Sequence, residues 1–177
     1  CGHRTHPPEA RSASAAAAPR PLAELQKDFV DLRFGMFIHF GILTYTGSWA
    51  EANLPIDMFN PTGLDPSQWA TAAQSAHMTY GVLTTRHHDG FALWPSSVGN
   101  FNVHNVSWMN GQGDVVRAYV DAFRAKGLAP GLYYSIWDNT EGIGNAEPSP
   151  RQATRSPLRL IFSVYIALRI HNAGDAT

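Results

Sequence analysis

The chain has 177 residues, of which 44% are hydrophobic and 15% are charged. This composition supplies a core for one domain of ordinary size and excludes a disordered chain. The net charge of −1 comes without a basic stripe, which excludes the electrostatic footprint of a nucleic-acid-binding protein. No apolar run approaches the roughly 18 residues that a membrane span requires, so no transmembrane segment is predicted.

The amino-terminal segment bears on location. The only cysteine is Cys1, so the sequence allows no intramolecular disulfide. Cys1 and Gly2 precede a polar stretch rich in Ala and Pro, as in a lipoprotein processed at its lipobox. This pattern predicts a flexible linker or tether over residues 1–21 and an extracytoplasmic protein that is lipid-anchored at Cys1. An arbitrary fragment boundary is the alternative.

The patterned chain begins near Leu22, and three apolar runs recur in it at similar intervals. They cover residues 34–41, 80–88 and 128–137. Each is apolar nearly throughout, as expected of strands that are buried on both faces of a parallel sheet.

Two amphipathic helices separate these strands. The first is predicted to begin after Asp65, which can cap it, with Pro66 at the first helical position. Its predicted apolar face consists of Trp69, Ala72, Ala73 and Ala76. The second begins near Asp114 and ends at Gly127. Its predicted buried stripe consists of Val115, Val116, Tyr119, Ala122 and Phe123.

The alternation of strands and helices predicts an α/β fold, either a doubly wound sheet or a (β/α)8 TIM barrel. The first strand-to-helix turn lacks the Gly-rich fingerprint of a dinucleotide-binding sheet. The barrel is favoured because unusual side chains fall at the carboxyl ends of the strands, where barrel enzymes place their chemistry. These side chains are His39, His87, His88 and Trp137. A complete barrel needs about 250 residues, so three βα units are the amino-terminal portion of one.

The densest polar cluster is the run from Arg86 to Gly90. Two adjacent histidines on a strand point to opposite faces, and no third ligand at metal spacing accompanies them, so no metal and no cofactor is expected. His, Tyr and Trp each combine an apolar body with one directed hydrogen-bonding group. Such groups converging at strand ends suit a small polyol such as a sugar.

Five ordered segments resemble the α-L-fucosidase family. The three longest cover residues 34–41 (FGMFIHFG), 83–95 (LTTRHHDGFALWP) and 131–138 (GLYYSIWD), and the shorter ones cover 59–62 and 111–116. The resemblance extends over residues 22–145 and is closest to the branch that acts on α-1,3- or α-1,4-linked fucose. It implies the first part of an irregular barrel that a β-sandwich follows, with a fucosylated oligosaccharide or glycoconjugate as substrate.

The resemblance also implies the residues of a fucose pocket, which are His39, Trp49, His87, His88 and Tyr134. The loop around Trp49 departs from the family pattern. Tyr133 is the alternative to Tyr134, because adjacent strand residues face opposite ways.

Retaining glycosidases need two carboxyl groups, a nucleophile and an acid/base. The resemblance implies an Asp at the end of a fourth strand and a Glu beyond it, and neither is identifiable in this chain. We interpret Glu51 as a loop residue. Residues 146–177 depart from the pattern, as a frameshift or a truncation would produce, and are not expected to dock as a barrel element. We therefore expect the chain to be inactive alone. A non-catalytic fucose-binding remnant and a metal-dependent barrel hydrolase are the alternatives.

Overall fold

The computed structural model describes residues 20–48 and 51–140. The predicted linker up to residue 19, Trp49 and the predicted tail at 146–177 lie outside the described residues. The chain divides into two compact units, Cys1–Asp31 and Leu32–Thr177. None of the described helices is long and apolar enough to cross a membrane.

The described part of the first unit is helix α1, Leu22–Asp31. Exposed ion pairs accompany it, with Arg20 Nη1 lying 2.8 Å from Asp28 and Lys27 Nζ lying 2.5 Å from Asp31. The patterned chain was predicted to begin here, but this helix was not predicted. The missed signal is the helical spacing of Leu22, Leu25 and Phe29, whose side chains are exposed.

The second unit contains a parallel sheet in the order β1-β2-β3. Its strands are β1 (Gly35–Ile38), β2 (Tyr80–Arg86) and β3 (Ala129–Tyr134). The prediction of an α/β fold with parallel strands is confirmed. Each strand is shorter than its apolar run, so the histidines and the Trp at the run ends follow the strands rather than belonging to them.

Helices α2 (Pro66–Ser75) and α3 (Val115–Ala125) connect the strands and pack against each other. The predicted Asp65 cap is confirmed, and Asp114, where the second helix was predicted to begin, is also a cap. The Asp65 carboxylate accepts from Ser67 N at 2.9 Å, and the Asp114 carboxylate accepts from Arg117 N at 2.8 Å. Gly127 follows α3 at φ +70°, a conformation that glycine adopts without strain.

The predicted apolar face of α2 was wrong in part. Ala73 is buried and Trp69 is partly buried, but Ala72 and Ala76 are exposed. The buried row instead consists of Pro66, Ala70 and Ala73. Trp69 lies beside this row, and its ring centroid lies 5.5 Å from that of Phe40.

The stripe of α3 is confirmed for Val115, Tyr119 and Phe123, which are fully buried, while Val116 and Ala122 are partly buried. Val120 is also buried and was missed. The Tyr119 hydroxyl donates to the Gly81 carbonyl at 2.6 Å and lies 3.2 Å from that of Gly131, so α3 is tied to β2 and β3.

The expectation of strands buried on both faces holds in β2, where the adjacent Leu83 and Thr84 are both buried, but not in β1. Gly81 and Leu83 face α3 and are buried, and a Cβ on Gly81 would meet the Phe123 ring. On the opposite face, Phe37 is 51% exposed. The helices cover one face of the sheet, and none of residues 20–48 and 51–140 buries the other face at Phe37.

Candidate functional site

Three imidazole rings meet where β1 and β2 end. His39 is the first residue after β1, and His87 and His88 are the first two residues after β2. The ring centroids of His39 and His87 lie 4.5 Å apart at an interplanar angle of 86°, and those of His87 and His88 lie 4.1 Å apart. The parallel register brings them together, because Phe37 and Ile38 pair with Val82 and Leu83 and both strands end at the same edge. We call these three side chains the histidine cluster.

His87 lies at the centre of the histidine cluster. Burial, followed by the neighbouring His88 and His39, lowers the pKa of His87 to about 4. Its ring is therefore neutral near pH 7. Its Nδ1 atom is buried and has no hydrogen-bond partner. A neutral ring with one unpaired buried nitrogen is a group that a ligand hydroxyl could satisfy.

His88 connects the cluster to the end of β3. Its Nδ1 atom lies 2.7 Å from the hydroxyl oxygen of Ser135, and its ring centroid lies 5.2 Å from that of Trp137. Burial and the nearby His39 lower the pKa of His88, while the Trp137 carbonyl acts in the opposite direction. Half-exposed Trp137 thus extends the aromatic surface beyond the cluster.

The two tyrosines of β3 lie on different faces. The Tyr133 ring stacks on His87 at 5.8 Å and contacts the Phe37 ring at 5.7 Å. Tyr134 instead lies under the Arg86 guanidinium at 5.4 Å and near Trp94 at 6.2 Å. The structure therefore brings Tyr133, the alternative in the sequence analysis, to the histidine cluster and places Tyr134 apart from it.

Two buried carboxylates, those of Asp89 and Asp138, lie in the loops that follow β2 and β3. Asp138 forms an ion pair with Arg86, which also donates to the Gly90 and Ser135 carbonyls. Asp89 accepts from Phe91 N at 2.7 Å, and burial raises its pKa. These contacts join the loops after β2 and β3. By contrast, Glu51 is exposed, which fits its interpretation as a loop residue.

Among residues 20–48 and 51–140, no three His, Cys, Asp or Glu side chains are arranged to hold a metal ion. The histidine rings of the cluster instead pack against one another and against Tyr133 and Trp137. The described site therefore offers hydrogen-bonding groups on flat apolar rings.

Comparison with known proteins decides the family. The family model for alpha-L-fucosidase matches residues 48–159, which is more than half of the chain. The chain belongs to the α-L-fucosidase family. The matched region contains β2, α3, β3 and two of the three clustered histidines.

Individual α-L-fucosidases support the assignment. The chain is 41% identical over 139 residues to a putative alpha-L-fucosidase 1 of Oryza sativa subsp. japonica, covering 73% of this chain and 26% of the relative. It is 43% identical over 107 residues to alpha-L-fucosidase 1 of Arabidopsis thaliana, covering 60% and 21%. A crystal structure of a glycoside hydrolase 29 family member from an unknown rumen bacterium matches with a TM-score of 0.64 and 41% identity, covering 66% of this chain and 21% of that one. The chain spans about a quarter of the length of the curated relatives that it matches.

Sequence reasoning missed two features of this site. Ser135 gave no signal by residue type, although it follows directly on the Tyr-Tyr pair in the third apolar run. The ion pair of Arg86 with Asp138 joins residues 52 positions apart. Arg86 and Asp138 lie in two of the segments that resemble the family, but only the register of β2 against β3 shows that the two residues meet.

Proposed function

We propose that this chain is the amino-terminal part of the catalytic domain of a retaining α-L-fucosidase, and that the histidine cluster binds the fucose ring. The observation that carries the proposal is the packing of His39, His87 and His88 into one group at the strand ends, with the His87 Nδ1 atom unpaired. Family membership and this geometry support the same substrate class.

The chemistry of the site suits a neutral sugar. Fucose presents hydroxyl groups on one side and an apolar methyl group and ring hydrogens on the other. Neutral imidazoles donate or accept single hydrogen bonds, and the exposed rings of Phe37 and Trp137 supply apolar surface. Arg86, the strand-end cation, is engaged by Asp138 and three backbone or ring contacts, so it does not present a clamp for phosphate.

We propose as well that the three strands and their helices are part of a (β/α)8 barrel. Three parallel strands in consecutive order, with packed helices between them, form the repeating unit of a (β/α)8 barrel. Barrel enzymes place their active sites at the carboxyl ends of the strands, where the histidine cluster lies. In a closed barrel, Phe37 and Tyr133 would point inward. The preference for α-1,3- or α-1,4-linked fucose belongs to this proposal and rests on the sequence segments alone.

A second candidate is a non-catalytic fucose-binding module. It is favoured by one observation, that Asp89 and Asp138, the buried carboxylates near the cluster, are both held in internal contacts. Retention requires two carboxyl groups about 5–5.5 Å apart on either side of the scissile bond. We therefore expect the 177-residue chain to bind fucose without hydrolysing an aryl α-L-fucoside.

Binding of L-fucose at pH 7, followed by calorimetry, tests the proposal in His39→Asn and His88→Asn. Each substitution shortens the side chain and removes Nε2, and the loss of one hydrogen bond predicts a Kd increase of roughly 5- to 150-fold. His77→Asn is the matched control, because His77 is exposed at φ +56°, which Asn tolerates, and lies outside the cluster. Unchanged Kd values in both cluster variants would show that the cluster does not bind fucose.

Hydrolysis of an aryl α-L-fucoside separates the two candidates. If the 177-residue chain hydrolyses the substrate above background, the binding module is excluded and the catalytic carboxylates lie within this sequence. If it binds fucose without turnover, the expected division between binding residues and catalytic residues holds for this chain.

A further inference from the structure

The loop that follows β3 is bonded to the backbone of the turn that carries His87 and His88. Asn139 N donates to the His88 carbonyl at 2.7 Å. The Thr140 hydroxyl donates to the Asp89 carbonyl, also at 2.7 Å. Asp89 is 3% exposed, so solvent has little access to replace a lost donor there. The loop after β3 therefore restrains the backbone of the turn directly after its two histidines.

An ion pair supports Thr140 in this contact. The Thr140 backbone N–H donates to Asp138 Oδ1 at 2.9 Å, and Asp138 is buried and paired with Arg86. A Cβ on Gly90 would lie 2.7 Å from Asp138 Oδ1, so the loop after β3 lies directly against the turn. The Thr140 hydroxyl thus reaches the turn from a support that is itself held in place.

We propose that Thr140 is a positioning residue, whose hydroxyl fixes the Asp89 carbonyl and, through the turn, the orientation of the His87 and His88 rings. The consequence for fucose binding rests on the proposed function, whereas the restraint of the turn does not. A ring that is already held in its binding orientation loses less conformational entropy when a ligand binds. Loss of the hydroxyl should therefore weaken binding, although Thr140 itself acts only through the turn.

Thr140→Val removes the hydroxyl and keeps the side-chain shape and the backbone N–H. In the 177-residue chain, hydrogen exchange at the amides of Gly90 and Phe91, which are bonded within the turn, should become roughly 3- to 10-fold faster. The 15N shifts of the His87 and His88 rings should change, and the Kd for L-fucose should rise by roughly 3- to 10-fold. The Tm should change little, because the ion pair that supports the loop is retained.

Two further variants identify the hydroxyl as the cause. Thr140→Ser keeps a hydroxyl and should retain the wild-type exchange, ring shifts and Kd. Thr71→Val is the matched control, because the Thr71 hydroxyl also donates to a carbonyl, that of Ser67 at 2.8 Å, but lies on α2. It should leave all three measurements unchanged. If Thr140→Ser behaves like Thr140→Val, the role of the hydroxyl is overturned.

The outcomes separate this inference from the proposed function. Unchanged exchange at Gly90 and Phe91 in Thr140→Val overturns the proposal, as does loss of cooperative unfolding, which would assign Thr140 to the stability of the whole unit. If the wild-type chain binds L-fucose and Thr140→Val loosens the turn without changing the Kd, the positioning role is also overturned. If the turn loosens and the histidine rings shift, but the wild-type chain does not bind L-fucose, the restraint by Thr140 stands and the fucose-binding proposal fails.

Discussion

The two faces of the three-stranded sheet contrast in what covers them. On the helix side, Leu83, Tyr119 and Phe123 have no exposed surface. On the other side, Phe37 is half-exposed and its ring continues toward Tyr133 and His39. The same short strands therefore pack closely on one side and leave the Phe37 ring open on the other, although Tyr133 beside it is buried. The packed core and the proposed recognition surface use different residues of this chain.

The contrast extends to polar groups. On the helix side, the Tyr119 hydroxyl is buried and bonded to the Gly81 carbonyl, and burial raises its pKa. At the strand ends, the His87 Nδ1 atom is buried and has no partner. Unpaired buried groups cost free energy and are retained where a function uses them. The predictions below test this division, from the largest expected effect to the smallest.

Asp138→Asn should cause the largest loss of stability. Asp138 is 2% exposed, and the substitution leaves the partly buried Arg86 without its counter-charge. Removing one partner of a buried pair costs about 3–5 kcal/mol of unfolding free energy. The matched control is Asp31→Asn, which breaks the exposed pair with Lys27 and should have a much smaller effect, because solvent screens that pair. Denaturant unfolding of both variants measures the difference, and equal losses would contradict the structural role of the Arg86–Asp138 pair.

Gly81→Ala tests the packing on the helix side. A methyl group on Gly81 would collide with the buried Phe123 ring, and overpacking of this kind costs about 1–3 kcal/mol. Gly63→Ala is the control, because nothing lies within 4 Å of a Cβ at that position. Thermal unfolding should show a lower Tm for Gly81→Ala alone. An unchanged Tm in Gly81→Ala would mean that α3 does not pack closely on β2.

Tyr119→Phe keeps the ring and removes the hydroxyl that bonds to Gly81. We expect a loss of about 1 kcal/mol in unfolding free energy, since a buried carbonyl loses its donor while the ring packing persists. Fucose affinity should not change, because the hydroxyl lies on the helix side. A weaker affinity in Tyr119→Phe would show that the two faces are coupled.

The pH dependence of stability tests the strand-end side. His87 has its pKa lowered from 6.5 to about 4 in the folded chain, so the unfolded state takes up the proton first as the pH falls. The contribution of His87 to stability should therefore decrease as the pH falls from about 6.5 to about 4, and level off below that. Unfolding free energies at pH 7, 5.5 and 4 should show a weaker dependence in His87→Gln than in the wild type. An unchanged slope in His87→Gln would contradict the burial of His87.

Sequence reasoning was most successful where a signal was local. Asp65 caps α2 as predicted, and α3 begins at Asp114 as predicted, because capping depends on residues two or three positions apart. The strand ends were found because histidines interrupt apolar runs. The resemblance implied Tyr134 and left Tyr133 as the alternative, since alternation gives two faces without saying which one carries the site. The Ser135–His88 contact also required the structure, because it joins residues 47 positions apart in the loops that follow two strands.

The most direct measurement of the central claim is the response of individual histidine rings to L-fucose in 15N NMR spectra of the chain at pH 7. The account predicts that the ring nitrogens of His39, His87 and His88 shift on titration, whereas those of His77 and His104, which lie outside the cluster, do not. Shifts confined to His77 or His104, or no shift in the histidine cluster at saturating L-fucose, would contradict the claim that the strand ends bind the sugar.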